Sequence, residues 1–262
     1  MFNIINIELS SLCNKNCWMC GRRKIDKDYP ELKLEYGYME FELLEKIARE
    51  IPKGVLIQFH NNGEPLMYPR FGDALDLFKN NIRCLDTNGK LLVEKSDVIL
   101  DKLETITIST FENDPDAEEQ YEIVKEFLAI KKKDEKPTVV IRCLGDTGEW
   151  KPKYEALGLL TVDRVLHSPM GSFSYKKVPV IPETGICMEM LNHPAINIKG
   201  DLSICVRFDP ERKGVIGNLN DNTIEELWYG EKRQEWLHHH IRVNRSNVPL
   251  CAKCEFWGIP RG

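Results

Sequence analysis

Residues 4–20 read Ile4-Ile5-Asn6-Ile7-Glu8-Leu9-Ser10-Ser11-Leu12-Cys13-Asn14-Lys15-Asn16-Cys17-Trp18-Met19-Cys20. Ile4–Leu9 alternates apolar and polar side chains at its centre and predicts a strand. Cys13, Cys17 and Cys20 follow in a C-x3-C-x2-C spacing, so three thiols crowd the loop that leaves this strand. In parallel sheets and barrels the chemistry collects at the carboxyl ends of the strands, where this loop lies. Further strands are expected at Val55–Phe59, Ile82–Asp86, Thr105–Ser109, Thr138–Cys143 and Val162–Leu166. Helices are expected between them, at Glu40–Glu50, Phe71–Lys79, Leu91–Leu100, Ala117–Lys132 and Glu149–Leu157. Strand and helix thus alternate as β/α units do, and six units predict an α/β fold, a partial (β/α)6 TIM-like barrel over residues 1–170.

After Leu166 the pattern changes to Pro, Gly and Ser, and residues 171–186 read as a linker. Residues 187–262 read as a small α+β extension. It has a hairpin in which Ala195–Lys199 and Leu202–Val206 flank Gly200-Asp201, followed by helices at Thr223–Tyr229 and Lys232–Val243. It also holds Cys187, Cys205, Cys251 and Cys254, the last two as C-x2-C. A core this small commonly needs a metal staple when disulfides are not available.

The 262 residues are 42% hydrophobic and 29% charged, a composition that excludes a disordered chain. A net charge of −5 with no basic stripe does not indicate a nucleic-acid partner. The longest run free of Asp, Glu, Lys and Arg, Val165–Tyr175, is 11 residues, whereas a membrane helix needs about 20 apolar ones. Without a signal-peptide pattern at the start, the expected location is the reducing cytoplasm, where nine thiols are ligands rather than disulfides.

Three thiolates hold three corners of a cubane iron-sulfur cluster and leave the fourth iron open to a ligand. Zinc is the alternative, but a structural zinc would want four ligands, and no histidine stands near residues 13–20. The loop Cys13-Asn14-Lys15-Asn16-Cys17-Trp18-Met19-Cys20 resembles the cluster loop of the radical S-adenosylmethionine superfamily. That resemblance implies a [4Fe-4S] cluster on Cys13, Cys17 and Cys20 whose open iron chelates S-adenosyl-L-methionine. Reductive cleavage would then give a 5'-deoxyadenosyl radical that abstracts hydrogen from substrate. The same resemblance assigns cofactor contacts to Met19, at a position usually aromatic, and to Asn62-Gly63-Glu64-Pro65, which resembles the family's GGEP segment. It also assigns Asn88 after the third strand, Ser109 at the end of the fourth and Arg142 on the fifth.

Cys187, Gly200, Cys205 and the Cys251/Cys254 pair, with Gly217-Asn218-Leu219 and Ile224–Trp228, resemble the SPASM/twitch extension of these enzymes in its one-cluster form. The resemblance implies an auxiliary [4Fe-4S] cluster closed by four cysteines, suited to electron transfer; a zinc ribbon on the same thiols is the alternative. The implied activity is hydrogen abstraction from a small polar sugar- or cyclitol-like substrate, as in dehydrogenases whose auxiliary cluster accepts the electron. The external electron donor would be a flavodoxin or ferredoxin. A peptide-modifying maturase or epimerase is the second reading, against which stand the 12 residues before Cys13, too few for a leader-binding domain. A non-catalytic iron-sulfur or zinc protein is the third. His167, ending the sixth strand, is the expected acid/base group, with His60 a weaker version. Tyr175, Lys176 and Arg207 are further polar side chains for a substrate. Cys84 and Cys143 are expected to pack in strands.

Overall fold

The computed structural model describes residues 2–32, 34–132, 135–164 and 186–254. Six strands, β1 Ile4–Ile7, β2 Leu56–Phe59, β3 Ile82–Thr87, β4 Thr105–Phe111, β5 Thr138–Leu144 and β6 Leu160–Arg164, pair in sequence order, each parallel to the next. The crossovers carry α1 Gly21–Asp28 and α2 Phe41–Glu50, α3 Phe71–Leu77, α4 Ser96–Ile99, α5 Ala117–Ile130 and α6 Trp150–Ala156. This is the expected partial barrel, a mostly parallel sheet with its helices packed against it.

The alternation along the strands sorts the side chains onto two faces. Ile5 and Ile7, Ile57 and Phe59, Leu85, Ile106 and Ile108, and Val139, Ile141 and Cys143 are buried in one core with helix residues such as Leu44, Ile47, Phe71, Val124, Phe127 and Tyr154. The intervening positions carry Asn6, Gln58, Cys84, Asp86, Thr107, Ser109 and Arg142, and the strand registers set them side by side. Strands of a parallel sheet are ordinarily apolar on both faces. An inner face this polar therefore has a ligand to meet rather than a core to fill.

Several elements depart from the sequence expectations. α4 is a single turn, because residues 91–95 follow the Asn88-Gly89 bend in tight turns closed by Leu92 N to Gly89 O (3.3 Å) and Ser96 N to Val93 O (3.2 Å). β4 runs two residues past Ser109, which therefore lies within the strand, and β6 lies two residues earlier than expected. α1 was not expected at all: in Gly21–Asp28 the only large apolar side chain is Ile25, so no apolar stripe announces it. Of the two cysteines expected in strands, Cys143 is in the helix-facing core, whereas Cys84 stands on the polar inner face, two residues before Asp86.

The C-terminal part continues the sheet instead of hanging from it. After α7 Met188–Asn192, strand β7 Ala195–Ile196 pairs parallel with β1 through Asn6↔Ala195 and Ile7↔Ile196. β8 Asp201–Ser203 and β9 Val215–Asn218 add antiparallel, giving the order β6-β5-β4-β3-β2-β1-β7-β8-β9. α8 Ile224–Trp228, held by a complete capping box between Thr223 and Glu226, and α9 Glu231–Ile241 cover this end. The strand β9 escaped the sequence reading because it is short and pairs across a bulge at Leu202/Ser203. No helix among the described residues is long and apolar enough to cross a membrane.

Candidate active site

The loop carrying Cys13, Cys17 and Cys20 runs from β1 to α1, and Cys20 caps that helix. It is pinned across the barrel mouth. Lys15 Nζ meets Asp114 Oδ2 at 2.6 Å, both side chains almost fully buried, and lies 4.8 Å from the centre of the Phe111 ring. Trp18 Nε1 donates to Glu112 O at 2.8 Å. The three thiols lie close enough that Cys17 senses Cys13 and Cys20 electrostatically, and burial pushes the Cys17 thiol up to about 12. Burial also raises Cys13, whose sulfur receives the Asn88 Nδ2 at 3.7 Å. Metal ligation deprotonates such thiols outright. Met19 lies half-buried inside the same loop.

The segment Asn62-Gly63-Glu64-Pro65, after β2, packs directly on the cysteine loop. Glu64 N donates to Leu12 O at 2.8 Å. Gly63 leaves no room for a side chain, since a Cβ there would lie 2.1 Å from Ser10 O and 2.6 Å from Leu12 O. Glu64 is 1% exposed. Its carboxylate accepts Leu66 N (3.1 Å) and Thr87 Oγ1 (2.8 Å) on one oxygen and Asn88 N (2.8 Å) on the other. In this conformation the acid is the buttress of the β3 loop, and Asn88 is the side chain it presents to the cysteine loop. Gln120, fully buried on α5, completes the scaffold by donating to Asn88 O (2.6 Å) and Ser109 O (3.0 Å).

Deeper on the inner face, Asp86 accepts Gln58 Nε2 (2.6 Å) and Arg142 Nη1 (2.5 Å), with His60 Nε2 3.8 Å away. Desolvation lowers the His60 pKa, against the pull of Asp86 and with that of Arg142. A second histidine, His193, enters from the end of α7. Its Nδ1 is 2.9 Å from Glu189 Oε2 and its Nε2 2.6 Å from Asn6 Oδ1 on β1. Burial raises the Glu189 pKa, but His193, Arg207 and Arg164 outweigh it and leave the carboxyl below its ordinary value. His167 lies outside the described residues. Sequence reasoning did not single out His193; its only signal was Glu189 four residues earlier, which puts both side chains on one face of α7.

Glu8 joins the two halves of the molecule. It is 3% exposed and has no cation partner at hydrogen-bond distance among the described residues. Its Oε1 accepts Asn62 N (3.0 Å) and its Oε2 accepts Ile198 N (3.1 Å) from the C-terminal hairpin. Burial raises its pKa while the two amides oppose that shift. Replacing Glu8 by Ala leaves two buried amides without acceptors, at an expected cost of about 2–5 kcal/mol. Thermal unfolding should show that loss, and hydrogen exchange should rise at Asn62 and Ile198 together; a rise at one alone would show that Glu8 does not bridge them.

Cys187 caps α7, Cys205 follows β8, and Cys251 and Cys254 close a turn whose carbonyls accept Arg245 Nη1 at 3.2 and 2.9 Å. Cys251 senses Cys254 and Cys187, and Cys205 senses Cys187. Burial raises Cys251 to about 12 and Cys205 further. Among the described residues no three His, Cys, Asp or Glu side chains gather tightly enough for a single metal ion.

These features define a partial-barrel α/β protein with two thiol sites joined by one sheet. Residues 187–255 match SPASM, an iron-sulfur cluster-binding domain. The chain is 24% identical over 265 aligned residues to the S-adenosyl-L-methionine-dependent 2-deoxy-scyllo-inosamine dehydrogenase of Niallia circulans, covering 97% of this chain and 93% of that one. The fold is similar to that of BtrN in complex with AdoMet and 2-DOIA, with a TM-score of 0.64, 19% identity and coverage of 97% and 93%. It is also similar to anSMEcpe with bound AdoMet, with a TM-score of 0.62, 15% identity and coverage of 97% and 83%. Residues 187–255 thus carry a SPASM iron-sulfur cluster-binding domain, and the chain as a whole is similar in sequence to an S-adenosyl-L-methionine-dependent dehydrogenase and in fold to structures solved with AdoMet.

Proposed function

We propose that this enzyme oxidises a carbinol carbon of a small polyhydroxylated molecule bound on the polar inner face of the barrel. Cys13, Cys17 and Cys20 hold the S-adenosylmethionine cluster, and Cys187, Cys205, Cys251 and Cys254 hold the auxiliary one. Residues 1–170 and 187–262 are the corresponding functional units, working in a reducing compartment with a flavodoxin or ferredoxin as electron donor. When bound, the clusters and S-adenosylmethionine supply a hydrogen-abstracting radical and an acceptor for the remaining electron. Met19, Asn62, Gly63, Glu64, Pro65, Asn88 and Ser109 shape the cofactor's place at the barrel mouth.

The observation that carries the reading is the inner face itself: Asn6, Gln58, Asp86, Thr107 and Arg142 offer hydrogen bonds where a parallel barrel would otherwise bury aliphatic side chains. His193 takes the acid/base role in this reading. Its Nδ1 lies 2.9 Å from Glu189 Oε2 and its Nε2 2.6 Å from Asn6 Oδ1, so Nε2 would receive the hydroxyl proton once the substrate takes the place of the Asn6 oxygen beside it. The 24% identity to a cyclitol dehydrogenase over almost the whole chain supports the same class of reaction.

One observation favours the second reading, epimerisation: Cys84 is on the inner face, and burial keeps it in the thiol form that donates a hydrogen atom. One experiment separates the two. Candidate polyols deuterated at the carbinol carbon are incubated anaerobically with the reconstituted enzyme, reductant and S-adenosylmethionine. Dehydrogenation places deuterium in 5'-deoxyadenosine and gives a ketone, and His193→Gln should lower the ketone yield. A product with an inverted centre that carries solvent hydrogen, and no ketone, would overturn the dehydrogenase reading.

A further inference from the structure

We infer that the substrate of this enzyme carries an anionic group, a carboxylate or phosphate, received by Arg164 at the end of β6; this rests on the inner face being the substrate site. The register places Arg164 opposite Leu144 and Arg142 opposite Val162, two residues before Arg164, so Arg142 and Arg164 point to the same face from adjacent strands. Arg164 also lies within electrostatic reach of Arg207, two residues beyond Cys205. Three guanidiniums and two imidazoles, His60 and His193, therefore share this region with two carboxylates, Asp86 and Glu189.

The carboxylates already have partners. Asp86 is engaged by Arg142 at 2.5 Å and by Gln58 at 2.6 Å. Glu189 is engaged by His193 at 2.9 Å. Glu8, on the loop after β1, spends both oxygens on backbone amides of Asn62 and Ile198. Arg164 makes no side-chain hydrogen bond and no ion pair among the described residues, although it is half-buried. Desolvation lowers its pKa, and Arg142 and Arg207 push in the same direction. Asp86 and Glu189 act on it from a distance, but no carboxylate lies at ion-pair distance among the described residues, and an anion with planar or tetrahedral oxygens would supply the missing paired, charge-assisted hydrogen bonds. A cationic amine in the same place would instead meet an excess of like charge. The proposed substrate thus differs in charge from the inosamine named for the Niallia circulans relative.

The test is isothermal titration of the reconstituted enzyme, already saturated with S-adenosylmethionine, with four probes: myo-inositol 1-phosphate, D-glucuronate, neutral myo-inositol and 2-deoxy-scyllo-inosamine. At least one anion should bind about tenfold or more tightly than myo-inositol, with the amine weakest. Arg164→Gln should remove that preference, Arg164→Lys should restore part of it, and the S-adenosylmethionine affinity should be the same in both. Equal binding of all four probes, no binding by either anion, tighter binding of the amine, or an anion preference that survives Arg164→Gln would each overturn the inference. So would loss of S-adenosylmethionine affinity in Arg164→Gln, which would place this guanidinium on the cofactor. Oxidation of the amine would overturn the anion inference and leave the dehydrogenase reading standing; tight anion binding with no oxidised product from any polyol would do the reverse.

Discussion

Cys17→Ala, reconstituted anaerobically and given a strong reductant, is expected to form 5'-deoxyadenosine only at the reagent background, whereas Cys205→Ala keeps S-adenosylmethionine cleavage and loses the oxidised product. The two thiols sit in separate places. Cys17 is flanked by Cys13 and Cys20 in a loop tied to the far side of the barrel mouth by the buried Lys15–Asp114 pair, so an alanine leaves two thiolates where a cluster needs three. Cys205 belongs to the C-terminal hairpin, next to Cys187. Its loss leaves the cysteine loop, the Asn62–Pro65 segment and Asn88 in place, since these are held by Leu12, Glu64 and Gln120 from within the barrel. Liquid chromatography with mass detection reads both products. If the two variants lost the same activities, the division of labour between the two cysteine groups would be wrong.

Gly63→Ala is expected to abolish measurable S-adenosylmethionine binding and to destabilise the fold by about 2–4 kcal/mol. The three nearest atoms to a new Cβ are Ser10 O, Leu12 O and the Ser11 carbonyl carbon, at 2.1, 2.6 and 2.7 Å. All are backbone, so no rotamer change relieves the clash. The strand end must separate from the cysteine loop, and the Glu64 N to Leu12 O bond goes with it. Glu64 in turn holds Thr87, Asn88 and Leu66, so a single methyl group disturbs three loops of the barrel mouth. Equilibrium dialysis against labelled S-adenosylmethionine and a thermal melt check the two parts. Binding near that of the parent chain would show that the close approach is not what organises the cofactor site.

The barrel was legible because its strands bury one strictly alternating apolar row, Ile5/Ile7 through Ile141/Cys143, and because each cysteine group has a spacing of its own. The helix α1 was not legible, since only Ile25 marks its buried side. Nor was the join between barrel and extension: β7 has two residues, and its parallel pairing with β1 is a contact of high sequence separation that no local pattern reports. At the site, the Asn62–Pro65 segment, Asn88 and Arg142 were named through the family resemblance, and they stand after or within strands of the barrel. Glu8, Gln120 and His193 could not be picked out, because each acts through partners distant in the sequence: Asn62 and Ile198, Asn88, and Asn6. Cys84 looked like a packing residue because the reading of its strand settled the type of element but not which side chains turn inward.

The central claim is that the three-cysteine loop makes this chain a S-adenosylmethionine-cleaving enzyme, and the most direct measurement is 5'-deoxyadenosine formed under strict anaerobiosis by protein with both clusters assembled. The account predicts formation above the reagent background that disappears in Cys17→Ala. No 5'-deoxyadenosine from fully reconstituted, reduced protein would contradict it.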